Sequence, residues 1–106
     1  MAHDVPDRNR RNLLFPIGAL IFSESIDRLM REGRLDPIPY FQRHVRGDWG
    51  DVTDDKWQQN NAALLSGDCL DSLFIVTREL TIRVVTEANR SATHIVLPSE
   101  DCPPAA

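Results

Sequence analysis

The sequence predicts an α+β fold in which N-terminal helices pack on a C-terminal three-stranded antiparallel β-meander. Apolar residues recur with helical spacing through the first two-thirds of the chain, whereas three short segments rich in β-branched residues occupy the last third. The 106 residues are the size of one domain, and a composition of 42% hydrophobic and 26% charged residues is ordinary for a globular chain.

Three parts of the chain differ in composition. Residues 1–12 are polar and charged, and we expect them to form a flexible arm. Residues 13–99 are predicted to form the single α+β domain, and residues 100–106, EDCPPAA, a disordered tail. Neither a secretion signal nor an apolar run of membrane-spanning length is visible, so we expect a cytoplasmic protein with no membrane partner.

The first elements follow the arm. Residues 13–22, LLFPIGALIF, suit a short strand or an extended core segment, because Pro16 disfavours a central strand position. The helical pattern SESIDRLMREG comes next. Ser23 or Ser25 can cap its start, and Gly33 suits its end.

Two further helices are marked by their ends. Asp36 is a good N-cap residue, Pro37 suits the first helical position, and Gly47 would end this second helix. Thr53 is the natural N-cap of the third helix, and Gly67 would end it. The stretch between the two helices, RGDWGDV, is therefore predicted to be a turn.

The last third of the chain is predicted to form strands. CLDSLFIVT, TIRVVTEA and SATHIVLP are short and β-branched, with one turn at Glu79 and another at Ala88–Asn89–Arg90, where Asn89 tolerates a positive φ. On the middle strand Thr81, Arg83 and Val85 share a face that is only partly apolar. We expect that face to be solvated or covered by a second copy of the chain.

The middle of the chain is acidic. Residues 47–71 contain six aspartates and one lysine, a local charge of −5. Because nucleic acids attract basic faces, we expect no direct nucleic-acid binding here. The acidic residues can instead cap a helix, where the dipole favours them, or contact a partner. The candidate partner-binding residues are Asp48, Trp49, Asp51, Asp54, Asp55 and Arg90.

Catalytic and metal-binding patterns are sparse. His44 is close in sequence to Asp48 and Asp51, and a carboxylate that orients an imidazole is one arrangement of a general base. No nucleophile motif accompanies it. The histidines and cysteines lack zinc spacing, the aspartates lack calcium-loop spacing, and no nucleotide-binding motif is present. We therefore expect no metal and no cofactor.

Two sequence blocks carry a resemblance. HVRGDWGDVTDDKWQQNNAALLSGDCLDS followed by VVTEANRSATHIVLP resembles a family of small proteins carried by plasmids and integrative elements of proteobacteria. The resemblance covers about residues 13–99, and the GDWG and TEA(N/D)RS blocks are fairly specific together. Such proteins are labelled plasmid-related or restriction-modification subunits, and the resemblance implies no established catalytic activity. Asn89 stands where the family has aspartate.

The positions that match the family form either a site or a structural lock, and we favour the lock. In the lock, Arg90 would pair with Asp48 or Asp51 and so join the second hairpin to the turn between helices. The residues assigned to the lock are His44, Gly47, Gly50, Glu87 and Ser91.

Three functions are weighed. The first is a non-enzymatic inhibitor of a bacterial defence system, anti-CRISPR or anti-restriction, that binds a protein complex of the host through its acidic surface. The second is a dimeric regulatory or maintenance protein of a mobile element, with an operator bound by the basic arm. The third is a small hydrolase or nuclease that uses His44, Asp48 and Asp51.

Overall fold

The computed structural model describes residues 14–100, and the predicted arm and residues 101–106 of the predicted tail lie outside them. No helix in the described part is long and apolar enough to cross a membrane. The fold is α+β, as predicted. Its elements are β1 (Ala19–Phe22), α1 (Glu24–Arg31), α2 (Ile38–Val45), α3 (Asp54–Ser66), β2 (Leu70–Thr77), β3 (Leu80–Thr86) and β4 (Ala92–Val96).

The sheet has one strand more than predicted. β2, β3 and β4 are antiparallel neighbours, and β1 adds a fourth strand parallel to β4, with Ala19 opposite Ala92. Pro16 precedes β1, so it removes no hydrogen bond from the strand. Gly18 adopts φ 64°, and a Cβ there would overlap the carbonyl of Ser91, so this glycine lets the two chains approach. The result is a mixed sheet of order β1-β4-β3-β2.

Side-chain caps start two of the helices as predicted. The Ser23 hydroxyl accepts a hydrogen bond from the Ile26 amide at 3.3 Å, at the start of α1. The Thr53 hydroxyl accepts one from the Lys56 amide at 3.1 Å, at the start of α3. Gly67 ends α3 with a left-handed φ of 85°.

The second helix begins one residue later than predicted. Pro37 occupies the N-cap position, and α2 runs from Ile38 to Val45. The Asp36 carboxylate still accepts a hydrogen bond from the Ile38 amide, at 3.2 Å. It therefore satisfies one of the amides that a helix start leaves without a partner.

The hydrophobic core lies between the helices and one face of the sheet. One cluster of buried residues joins α1 and the following loop to the centre of the sheet, and consists of Ile26, Leu35, Phe74, Ile82, Val84 and Ile95. A second cluster lies under α3 and the turn before it, and consists of Phe15, Trp49, Ala63 and Leu70. Of the residues assigned to the lock, His44 contacts this second cluster through the rings of Phe15 and Trp49.

Candidate functional site

The turn between α2 and α3 runs along the free edge of β2. The Leu73 amide donates to the carbonyl of Trp49 at 3.1 Å, and the Asp51 amide donates to the carbonyl of Leu73 at 2.6 Å. The Asp51 carboxylate accepts from the next outward amide, that of Ile75, at 2.9 Å. A Cβ on Gly50 would overlap the Leu73 carbonyl, so only glycine allows this approach.

Trp49 belongs to the core and not to the surface. Its side chain is 0% exposed, and its indole N–H donates to the amide oxygen of Asn61 at 2.9 Å. The indole stacks on Phe15, with ring centroids 6.3 Å apart, and contacts the ring of His44 edge-on at 5.4 Å. The assignment of Trp49 to a partner-binding surface is therefore corrected: the residue anchors the turn under α3.

His44 lies at one end of a buried chain of hydroxyls. Thr93 donates to the carbonyl of Ile17 at 2.9 Å, and a hydroxyl has one proton. Thr86 must therefore donate to Thr93, at 2.8 Å, which leaves the Thr86 oxygen to accept from Nε2–H of His44 at 2.9 Å. The other nitrogen, Nδ1, then accepts from the Ser72 hydroxyl at 2.5 Å. The chain assigns a neutral Nε2–H tautomer to His44.

Burial, together with a smaller contribution from the charge of Arg90, lowers the pKa of His44 to about 3. The unfolded chain binds this proton near pH 6.5, so between pH 6.5 and about 3 the unfolded state holds more protons than the folded state. We expect the free energy of unfolding to fall with decreasing pH in this window, with a slope approaching about 1.4 kcal/mol per pH unit. Urea unfolding at pH 7, 6 and 5 measures it.

The variant for this prediction is His44→Gln. It removes the titrating group, so the pH dependence of the free energy of unfolding should become shallower. An unchanged slope in His44→Gln would show that the imidazole of His44 does not cause the dependence.

The catalytic arrangement that the third function requires is not formed. Asp48 accepts from Nε of Arg43 at 2.8 Å, and this hydrogen bond holds the pKa of Asp48 below its ordinary value. Asp51 caps the β2 edge, as described above. Neither carboxylate contacts His44, whose two ring nitrogens bind Ser72 and Thr86.

Ser72 is a residue that sequence reasoning missed. A serine that donates to an imidazole is the pairing of a nucleophile and its base in acyl-transfer enzymes. Here both Ser72 and His44 are 0% exposed, so a substrate has no access to the pair in this conformation. The sequence did carry one indication: Ser72 lies two residues from both Leu70 and Phe74, so it shares the inward face of β2 with these buried side chains. A hydroxyl in such a place needs a polar partner.

Arg90 joins the second hairpin to the C-terminal end of α3. Its guanidinium donates to the carbonyls of Asp68 at 2.7 Å, Ala63 at 3.2 Å and Glu87 at 3.2 Å. It also lies 5.7 Å from the ring centroid of Phe15. A cation at the last carbonyls of a helix satisfies orphan acceptors and opposes the negative end of the dipole.

The partners predicted for Arg90 were therefore wrong, although it does connect the hairpin to the helical layer. It contacts backbone carbonyls and neither Asp48 nor Asp51. Arg90 itself adopts the positive φ of the turn, 59°, which was expected of Asn89. The Asn89 side chain instead accepts from the Ser91 amide at 2.9 Å.

Glu87 and Ser91 close the base of the same hairpin. The Ser91 hydroxyl donates to one carboxylate oxygen of Glu87 at 3.4 Å, and the other oxygen lies 2.6 Å from Nε2 of His94. The side chains of Glu87 and His94 are only 12% and 5% exposed. These contacts hold the hairpin together, next to the close approach at Gly18.

Four aspartates of the acidic segment are exposed, namely Asp51, Asp54, Asp55 and Asp68, and the first three lie close together in the chain. Asp51, Asp54 and Asp55 are exposed at or just before the first turn of α3, with Asp51 held by the β2 edge. Asp48 is half-buried in its pair with Arg43. Residues 14–100 contain no group of three or more histidine, cysteine or carboxylate side chains able to hold a metal ion.

Comparisons of the chain with models of protein families, with curated proteins and with solved structures found no match.

Proposed function

We propose that this protein is a non-enzymatic inhibitor of a bacterial defence system that binds a basic surface of a nucleic-acid-handling complex. The binding surface is the exposed acidic edge formed by Asp51, Asp54 and Asp55. CRISPR and restriction complexes present such basic surfaces because they hold nucleic acid. The protein itself would bind no nucleic acid, and it would meet its target in the cytoplasm.

One observation carries the proposal. The segment that resembles mobile-element proteins places its chemically reactive side chains, His44 and Ser72, inside the core, while it leaves the carboxylates of Asp51, Asp54 and Asp55 at the surface. These carboxylates follow a turn anchored by Trp49, so they are held in position. Acidic groups that meet a basic surface increase the association rate and favour the correct partner, and salt weakens the interaction.

The test uses bacterial hosts that each carry one defined CRISPR or restriction system, with phage plating as the readout. The wild-type protein should restore plating in at least one host. The double variant Asp54→Asn/Asp55→Asn should restore less phage plating than the wild type. Its affinity for the target should be about tenfold lower, which corresponds to about 1.4 kcal/mol. Direct binding to the identified complex should weaken as salt is raised.

A matched control separates position from net charge. Glu32→Gln/Glu79→Gln also removes two exposed carboxylates, but away from α3. This variant should restore phage plating as well as the wild type does. Thermal unfolding checks both variants, because a first-turn carboxylate stabilises a helix by about 0.3–1 kcal/mol. The proposal would be contradicted if the wild type restored phage plating in no host. It would also be contradicted if the two double variants restored plating equally well.

A further inference from the structure

The two edges of the sheet are finished differently. The β2 edge is covered by residues 49–51, and the Ile75 amide on the same edge is capped by the Asp51 carboxylate. The β1 edge has no neighbouring strand among residues 14–100. Unprotected strand edges pair with other chains unless charge, proline or a bulge prevents it. The strand, ALIF, carries none of these.

The backbone groups available at the β1 edge can be assigned from the pairing with β4. The amides of Ala19 and Ser23 donate to the carbonyls of Ser91 and Ile95, so odd-numbered residues of β1 face β4. The N–H and C=O groups of Leu20 and Phe22 therefore point away from the sheet.

We propose that β1 pairs antiparallel with β1 of a second copy of this chain, and so extends the two sheets into one of eight strands across a two-fold axis. A two-fold axis opposite Ile21 sets Leu20 against Phe22 of the partner and Phe22 against Leu20 of the partner. Each of these two pairs exchanges both N–H···O=C bonds, which satisfies all four outward groups of each strand. This inference stands independently of the proposed function.

The side chains at the edge suit a second copy. Ile21 is 42% exposed and would face its own copy across the axis, at the closely spaced position of an antiparallel ladder. No charged residue lies within the strand, so like charges are not brought together. An apolar residue that is half-exposed on an unprotected edge gains burial from this pairing.

Helix α1 adds complementary charge along the same edge. α1 packs on β1 and β4, with Glu24 and Asp27 in its first turn and Arg28 and Arg31 in its last. Leu29 turns towards the β2–β3 turn, where it lines a groove with residues 77–81, so the opposite flank of α1, with Asp27 and Arg31, turns towards the β1 edge. The two-fold axis places α1 antiparallel to α1 of the second copy. The acidic first turn of each helix then faces the basic last turn of the other.

The first test is the solution mass at increasing protein concentration, measured by sedimentation velocity. The wild type should move from 12.0 kDa towards twice that mass. Ile21→Lys places two like charges at the axis and should remain monomeric. The control is Ile75→Lys, which makes the same change at a 58% exposed isoleucine on the opposite edge strand, and it should dimerise like the wild type. A monomeric wild type at every concentration would overturn the proposal, as would a dimer broken by Ile75→Lys and kept by Ile21→Lys.

The second test is a crosslink in a chain with Cys69→Ser and Cys102→Ser. Residues opposite each other across an antiparallel ladder lie about 4.5–5.5 Å apart at Cα, within the range that disulfides span. Ile21→Cys should therefore form a covalent dimer under oxidation, whereas Ile75→Cys should not. A covalent dimer from Ile75→Cys alone would place the interface elsewhere and overturn the proposal.

Discussion

Replacing Trp49 by alanine is expected to lower the free energy of unfolding by about 3–5 kcal/mol. The indole is 0% exposed, contacts the rings of Phe15 and His44, and donates to Asn61, so its removal leaves a cavity and an amide oxygen without a partner. Since small domains are stable by only about 5–15 kcal/mol, much of the stability would be lost. Denaturant unfolding measures the change.

Two further variants define the origin of that loss. Leu65→Ala removes a side chain that is 93% exposed, and it should change stability by no more than about 0.5 kcal/mol. Trp49→Phe keeps an aromatic ring but loses the hydrogen bond to Asn61, so its stability should lie between those of the wild type and Trp49→Ala. A loss below about 1 kcal/mol in Trp49→Ala would contradict the assignment of this residue to the core.

Gly50→Ala is expected to lower the free energy of unfolding by an amount similar to that of Trp49→Ala. Gly50 adopts φ 78°, and an alanine in this conformation costs about 1–2 kcal/mol. The new Cβ would also overlap the Leu73 carbonyl and lie 2.6 Å from the ring of Phe74, and overpacking of this kind adds about 1–3 kcal/mol. Residues 49–51 would then move away from β2.

Gly33→Ala separates the two contributions. Gly33 has a similar φ of 72°, but a Cβ there meets nothing within 4 Å. Gly33→Ala should therefore lower the free energy of unfolding only by the cost of placing an alanine in the left-handed backbone conformation. Equal destabilisation by Gly33→Ala and Gly50→Ala in the same unfolding measurement would show that close packing on β2 does not require the glycine.

Local signals in the sequence predicted the helices well because each has a local cause. Ser23 and Thr53 cap their helices with their own hydroxyls, and Gly67 ends α3 in the left-handed conformation. The sequence left residues 13–22 undecided between a strand and an extended segment because β4, the strand that pairs with β1 among residues 14–100, begins at Ala92, far along the chain. The four residues of β1 are too few to show a strand periodicity, and a partner so distant in the sequence leaves no local pattern near them.

The candidate site was predictable in its location but not in its contacts. Trp49 of the turn and Arg90 of the hairpin both lie against the ring of Phe15, but the pair between Arg90 and an aspartate that the lock required is not formed. Arg90, however, binds carbonyl oxygens, and every residue of the chain carries one, so residue types could not identify its acceptors. Trp49 was ambiguous for a related reason: tryptophan is favoured both in cores and at interfaces.

The lock and the acidic edge are physically connected. Trp49 is buried under α3, and two residues further along the Asp51 amide and carboxylate bind the edge of β2. The chain is thus fixed just before Thr53 caps α3 and presents Asp54 and Asp55. In the proposed function, this rigid support would reduce the conformational entropy lost on binding, so the buried residues would aid recognition without contacting the partner.

Comparing Ser72→Ala with Asp54→Asn/Asp55→Asn in the phage-plating assay distinguishes binding through the acidic edge from chemistry at the Ser72–His44 pair. If binding through the acidic edge carries the function, a folded Ser72→Ala protein should still restore phage plating, and the aspartate variant should restore it only weakly. The proposal would be contradicted if a folded Ser72→Ala protein no longer restored phage plating while the aspartate variant still did. That result would point to chemistry at the Ser72–His44 pair.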